Sequence, residues 1–349
     1  MSSPQNLRVE KGRRTGRTII VCIDSTTLGS ALGGCRIRSY TSWQDGVRDA
    51  VRLAAAMTEK AALAGLAHGG GKTVVALDPH DAPLTGASRR ELLQDIGDVV
   101  ESLDGQYWTG PDVGSSPEDM AVINERTEYV FCRPQRLGGS GDSSGPTAAG
   151  VLACIRAVRE HVLAGQPLTQ TSFSIVGLGH VGQLVAEHLA SSGARLIVSD
   201  IDPRRRELAQ HWHAGWLEPD EALLAEVDVL VPAAVGGVLT PSTVAALRCR
   251  AVVGPANNQL DADSTADLLH ARGITWAPDT LVSAGGIVAA TGHELQHLLD
   301  HEIQGLLAGI GDRLGDILQE AHQKDQAPLH VARQQAKRRL ARAHLPTYS

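Results

Sequence analysis

Residues 171–191 read TSFSIVGLGHVGQLVAEHLAS, and this stretch decides the fold. Thr171–Val176 is an apolar, strand-like run, Gln183–Ser191 has helical spacing, and between them stands the pattern Gly-x-Gly-x-x-Gly at 177–182. Alone, that pattern is weak evidence. Its surroundings make it specific: a strand enters, a helix leaves, and the next strand-like run, Ala194–Ser199, ends on Asp200. An acidic residue about twenty positions on is what a dinucleotide-binding fingerprint requires. Gly177 permits the tight turn, Gly179 lets a pyrophosphate approach the backbone, and Gly182 lets helix and strand pack closely. His180 and Val181 stand where the helix begins, with its positive end toward the phosphates. Asp200 would accept from ribose hydroxyls and repel a 2′-phosphate, which favours NAD over NADP. Arg204, Arg205 and Arg206 lie just beyond and are the residue type that could reverse that preference.

Outward from this stretch the second half alternates strand and helix. Strands are expected at Val227–Val231, Ala251–Val253 and Thr275–Ala277, with helices near Arg204–His211, Pro241–Leu247 and Ala262–Ala271. Such alternation predicts a doubly wound parallel sheet in an α/β fold. Small and polar residues crowd LGGSGDSSGP at 137–146, which marks a domain boundary or hinge. The expected organisation is a catalytic domain over residues 1–140 and a Rossmann-type domain over 141–319, with part of 320–349 packing back on the first. In the first half, Thr18–Ile23 reads as a strand, Thr27–Gly34 as a glycine-containing turn and Trp43–Ala64 as a long amphipathic helix. A strand after Lys72, a helix near Ser88–Leu103 and a loop over Tyr107–Met120 that carries Asp112 complete it.

The first half also holds TEKAALAGLAHGGGKT at 58–73, with Lys60 and Lys72 separated by apolar residues and glycines. Lysine is costly in apolar surroundings unless a partner or a task keeps it there. A phosphate loop would need a glycine at position 66, which is Leu66, so that reading fails on register. A lysine at a helix end, as Lys60 is, commonly just answers the helix dipole. An aspartate in a turn, as Asp112 is, is usually a turn-former.

Composition excludes several classes. With 42% hydrophobic and 20% charged residues, the chain of 349 residues reads as a globular protein with more than one domain. A net charge of −7 gives no grip on nucleic acid. No apolar run reaches the length of a membrane span, and the N-terminal residues lack the apolar core of a signal peptide, so a cytoplasmic location is expected. The five cysteines show neither paired nor metal-like spacing and read as reduced, buried small hydrophobes; no metal is expected.

Several motifs together resemble the Glu/Leu/Phe/Val amino-acid dehydrogenases, the leucine and phenylalanine members most closely. They are ALGGCR (31–36), MTEKAALAGLAHGGGKTVV (57–75), TGPDVG (109–114), PTAAGV (146–151), GLGHVG (177–182), PANNQL (255–260) and APDTLVSAGGIV (277–288), in family order. The resemblance implies NAD-dependent oxidative deamination of an L-amino acid to its 2-keto acid and ammonia, and the reverse. It implies a cleft between the domains and a homo-oligomer. In it, Lys60 pairs with the substrate α-carboxylate, Lys72 is the catalytic lysine, and Asp112 relays the proton at the amino group. Desolvation and the charge of Lys60 are expected to lower the Lys72 pKa. Asn258, with Asn257, contacts substrate and nicotinamide ribose, and Thr147 joins the cofactor set. Leu32, Gly33, Met57, Gly110, Ile287 and Ala290 would line the side-chain pocket, all apolar or tiny, which argues against glutamate. Gly110 and Ala290 are expected to widen it for a bulky apolar or aromatic side chain. Where the family usually has Asn-Ala-Gly-Gly, this chain has Ser283-Ala284-Gly285-Gly286. Two other readings remain open: a specialised reductive aminase or imine reductase, and a non-catalytic NAD-binding regulatory subunit. The presence of Lys60, Lys72 and Asp112 together argues against the last.

Overall fold

The computed structural model describes residues 3–81 and 83–343. The final residues expected to pack back, 344–349, lie outside it, as do residues 1, 2 and 82. Two compact units emerge. The first holds the residues up to Asp142, Ala290–Leu299 and the residues from Ala336 on; the second holds Ser143–Ala289 and Asp300–Gln335.

The first unit begins with β1 (Asn6–Lys11), β2 (Thr18–Ser25) and β3 (Ala31–Ser39), then α1 (Trp43–Leu63) and β4 (Gly69–Leu77). It continues through α2 (Gly86–Glu101), β5 (Tyr107–Pro111) and α3 (Pro117–Ile123). Its five strands lie in the order β1-β2-β4-β3-β5, with β3 parallel to β4 and β5 and the remaining pairs antiparallel. The long helix α1 starts where Ser42 and Asp45 cap each other reciprocally. Its last carbonyls, at Ala62 and in the turn at Leu66, accept from the Arg339 guanidinium at 2.8 Å each, which satisfies groups a helix end leaves orphaned.

Two expectations are corrected here. The segment read as a turn up to Gly34 is a strand from Ala31 onward, and the segment read as a loop from Tyr107 begins as a strand. Glycine normally argues against a strand, but Gly33 lies so close to β4 that a Cβ on it would sit 1.8 Å from the Gly71 carbonyl oxygen. The glycine triplet behaves likewise. It is extended, and what approaches it is the protein itself: the Ser25 carbonyl at Gly69, the α1 backbone at Gly70 and the Tyr107 ring at Gly71.

The second unit opens with α4 (Ser144–His161), then β6 (Ser172–Val176), α5 (His180–Ser191), β7 (Arg195–Ser199), α6 (Arg206–His211), β8 (Gly215–Trp216) and α7 (Pro219–Leu223). It runs on through β9 (Val229–Pro232), α8 (Pro241–Ala246), β10 (Ala251–Val252), α9 (Ser264–Ala271), β11 (Thr275–Trp276) and α10 (Asp279–Val282). The remaining helices are α11 (Gly285–Glu294), α12 (Asp300–Lys324) and α13 (Pro328–Ala343). All six strands are parallel, in the order β11-β10-β9-β6-β7-β8. Numbered within the unit this is 6-5-4-1-2-3, the dinucleotide-binding order, whose switch point lies between β6 and β9. Among the described residues no helix is long and apolar enough to cross a membrane.

Candidate active site

The two-residue period of a strand decides which side chains meet in the first unit. On β4, Val75 enters the core that α2 covers and the Thr73 hydroxyl reaches Tyr107, whereas Val74 and Ala76 lie against Ala50 and Ala54 of α1. Lys72 shares the parity of Val74 and leaves the sheet on the α1 side. On β3, Cys35 and Ile37 enter the other core, so Leu32, Gly34 and Arg36 share the side of Lys72. Asp112 follows β5 directly, its N–H held by the Ser115 hydroxyl at 3.0 Å and that hydroxyl donating to the Cys35 carbonyl at 2.6 Å.

These elements bring together an ionic chain. The Lys72 ammonium, on a residue only 5% exposed, lies 2.8 Å from Oδ2 of Asp112. Arg36 Nε donates to the same Oδ2 at 2.9 Å, and its Nη1 donates to Asp49 Oδ2 at 3.0 Å. Asp49 accepts in addition from the Tyr40 hydroxyl at 2.7 Å and from Arg52 at 2.8 Å. Gly34 makes room for the pair: a Cβ there would stand 2.7 Å from the Asp112 Cβ and 3.1 Å from Lys72 Nζ.

Burial pushes the Lys72 ammonium below lysine's ordinary pKa; the Asp112 carboxylate opposes this without reversing it, and the Arg36 guanidinium adds to the lowering. For Asp112, burial favours the neutral acid, but Lys72 and Arg36 together hold its carboxyl below the usual carboxylate range. Arg36 is thus a cation whose charge lowers the Lys72 pKa. Sequence reading missed Arg36 although it closes the ALGGCR motif; the parity that sets it beside Lys72 becomes visible only once 31–39 is known to be a strand. Burial, more than the neighbouring charges, pushes the nearby Cys35 thiol up to about 12, and all five cysteines are free and buried.

The other candidates of this unit are placed as follows. Lys60 is half-buried in the last turn of α1, and Met57 is half-buried on the same helix. Leu32 and Gly33 are buried on β3, and Ala290 is buried on α11. Gly110 requires a correction of reasoning. A Cβ on it would stand 2.7 Å from the Phe131 ring, so the room it leaves goes to that ring and not to open space. Gly110 pairs in register with Gly34, which puts Phe131 on the Lys72 side of the sheet. His68 is partly buried with Nδ1 3.2 Å from the Ser30 carbonyl oxygen.

In the second unit, Gly177 has φ +108, where other residues are strained. A Cβ on Gly182 would stand 2.0 Å from the Gly177 carbonyl oxygen, whereas one on Gly179 would meet nothing within 4 Å. The loop is therefore tight at both ends and open in the middle, where α5 begins with His180 and Val181. Asp200 holds this loop: Oδ2 accepts from the Leu178 N–H at 2.7 Å and Oδ1 from the Asp202 N–H at 2.9 Å. Each arginine beyond it is engaged, Arg204 with Asp202, Arg205 with Gln183, and Arg206 with Glu218 and the Trp216 ring.

Thr147 lies in the first turns of α4, close enough to α11 that a Cβ on Gly286 would stand 2.9 Å from its hydroxyl. Asn257 and Asn258 are exposed, Asn258 with φ +54, and Ile287 is half-buried. The serine in the family's asparagine position is used locally: the Ser283 hydroxyl donates to the Asp279 carbonyl at 2.6 Å and lies 3.2 Å from Asn257 Oδ1. Sequence reading missed Gln259, which is fully buried. Its amide donates to the Gly254 and Ala256 carbonyls, its oxygen accepts from the Trp276 indole, and its N–H donates to Asp279. That cage fixes the loop presenting both asparagines.

Comparison with known proteins identifies the family. The family model described as Glu/Leu/Phe/Val dehydrogenase, dimerisation domain, matches residues 5–129, and that described as Glutamate/Leucine/Phenylalanine/Valine dehydrogenase matches residues 198–346. A phenylalanine dehydrogenase of Caldalkalibacillus thermarum is 36% identical over 341 residues, covering 96% of this chain and 90% of that protein. A leucine dehydrogenase of Thermoactinomyces intermedius is 34% identical over 321 residues, covering 92% and 86%. The crystal structure of an L-tryptophan dehydrogenase from Nostoc punctiforme matches with a TM-score of 0.85 at 29% identity, over 98% of this chain and 97% of that one.

Proposed function

The chain belongs to the Glu/Leu/Phe/Val dehydrogenases and is an amino-acid dehydrogenase, and from that premise we propose its substrate class, its cofactor preference and the task of each residue. The substrate is an L-amino acid with a bulky apolar or aromatic side chain, oxidised to its 2-keto acid and ammonia, with the reverse amination on the same site. The observation that carries this is the buried Lys72–Asp112 pair at 2.8 Å. A lysine whose pKa is lowered by burial is a base that works nearer neutrality.

The oxidant is a nicotinamide dinucleotide, which when bound takes the α-hydrogen of the substrate as hydride. Gly177, Gly179, Gly182 and the first turn of α5 suit its pyrophosphate, and Thr147, Asn257 and Asn258 complete its contacts. NAD is preferred, because Asp200 stands at the end of β7 and Arg204, Arg205 and Arg206 are each already engaged. Lys60 pairs with the α-carboxylate. Loss of hydride leaves an iminium carbon on the substrate. Neutral Lys72 takes a proton from the water whose oxygen bonds to that carbon. Asp112 takes a proton from the substrate ammonium before the hydride leaves and returns it to the nitrogen; the C–N bond then breaks, ammonia leaves, and the hydroxyl gives its proton to Asp112 as the carbonyl forms.

Leu32, Gly33, Met57, Ile287 and Ala290 bring no cation for a distal carboxylate, and the Phe131 ring behind Gly110 adds an apolar surface on the Lys72 side of the sheet. The names of the relatives, which act on phenylalanine, leucine and tryptophan, support the same class. The test is a steady-state panel of L-amino acids with NAD and, separately, NADP. Phenylalanine, tryptophan or leucine should lead valine and glutamate in kcat/KM, with NAD the better oxidant. Valine or glutamate in the lead would overturn the substrate class, and NADP in the lead would overturn the cofactor.

A further inference from the structure

Asp112 has two cationic partners, and they differ in kind. Lys72 must lose its charge to act as a base, so its hold on Asp112 weakens at the moment the proton chemistry begins. Arg36 keeps its charge at every accessible pH. Both donate to Oδ2 of Asp112, at 2.8 and 2.9 Å. Among the described residues Oδ1 accepts no hydrogen bond, and the Asp112 side chain is 22% exposed. One oxygen is therefore clamped and the other is uncommitted.

The clamp has an anchor of its own. The guanidinium spans two carboxylates with different nitrogens, Nε on Asp112 and Nη1 on Asp49, a geometry an ammonium cannot reproduce. Asp49 is fixed in turn by Tyr40 and Arg52. Arg36 stands on β3 and Asp49 on α1, so the bridge ties the orientation of Asp112 to the helix that carries Lys60.

We propose that Arg36 is a positioning residue for the deamination: anchored by Asp49, it clamps Oδ2 of Asp112 throughout the cycle and leaves Oδ1 to exchange the proton with the substrate nitrogen. The proposal rests on the assignment of Lys72 and Asp112 above. The charged and titratable groups around Asp112 are Lys72 on β4, Arg36 and Cys35 on β3, and, through Arg36, Asp49 on α1. Of these, Arg36 is the one whose charge both depresses the Lys72 pKa and holds the Asp112 carboxyl down. Its removal shifts both groups upward.

The test uses the whole enzyme with the best amino acid of the panel, across pH. Arg36→Gln should move the acid-side limb of kcat/KM, which reports Lys72 losing its proton, upward by about one pH unit and lower kcat about tenfold to a hundredfold. Arg36→Lys restores a charge but not the two-ended bridge, so the limb should return toward its original position while kcat stays low. Asp49→Asn frees the far end of Arg36 and should lower kcat about threefold without moving the limb. An Arg36→Gln enzyme with an unmoved limb or unchanged kcat overturns the proposal, as does Arg36→Lys with full kcat. If Arg36→Gln does not fold, as a melting curve would show, Arg36→Lys and Asp49→Asn decide the matter by the same criteria. Failure of the wild-type enzyme to oxidise any amino acid would instead overturn the functional reading beneath it.

Discussion

Lys72 is held in a state that an exposed lysine would not choose. Burial taxes its charged form, and the sign of the effect sets a pH dependence for catalysis. The base is the neutral amine, so kcat/KM for deamination should be low at acid pH and rise as pH climbs through the Lys72 pKa. That pKa is displaced downward from lysine's usual value of about 10.4, so the plateau should arrive earlier than an ordinary lysine allows. Lys72→Ala should abolish the rise along with turnover and leave NADH binding, read by fluorescence, unchanged. A variant that turns over at near wild-type rate would refute the role. Asp112 shows the opposite linkage. Its folded pKa is depressed, so the stability it contributes is present above the unfolded carboxylate value and is lost only as pH falls through the lower folded one.

At the scale of elements, the glycine turn between β6 and α5 is tight because Gly182 has no side chain. A methyl there would stand 2.0 Å from the Gly177 carbonyl oxygen. Gly182→Ala should weaken NADH binding at least tenfold and cost about 1–3 kcal/mol of stability in the second unit, measured by fluorescence titration and melting. Binding at the wild-type affinity would show that the turn is not the phosphate cradle. This element was legible in the sequence because its signals are local: apolar run, glycines at fixed spacing, helix, acidic residue. The strand Ala31–Ser39 was not, because Gly33 and Gly34 read as turn-formers until the neighbouring strand and the Lys72–Asp112 pair that exclude side chains there are known. Arg36 and Phe131 were hidden for the same reason. Their roles come from register with β4 and β5, which no short window of sequence contains. Gln259 was hidden because its partners, Trp276 and Asp279, come from the next strand and helix.

At the scale of the whole molecule, the open flank is β1. It forms one edge of the first sheet, with Leu7 and Val9 41% and 42% exposed, whereas the opposite edge at β5 is paired through Thr109 with residues 129–131. Proteins usually guard such an edge, and an edge strand that exposes Leu7 and Val9 among charged residues is a natural seat for a second copy. We expect a homo-oligomer that uses β1. Val9→Lys should lower the mass seen by light scattering without unfolding the first unit, and an unchanged mass would move the interface elsewhere.

The glycines of β3 and β4 carry one more consequence, for how this enzyme can diverge. Gly33, Gly69, Gly70 and Gly71 are each pressed by the protein's own backbone or by a buried ring. The wall that bears Lys72 therefore has almost no single-step variants open to it. On the site proposed above, new substrate preferences would arise by drift at positions such as Met57, Phe131 and Ala290, which do not build that wall, while the strand that carries Lys72 stays frozen.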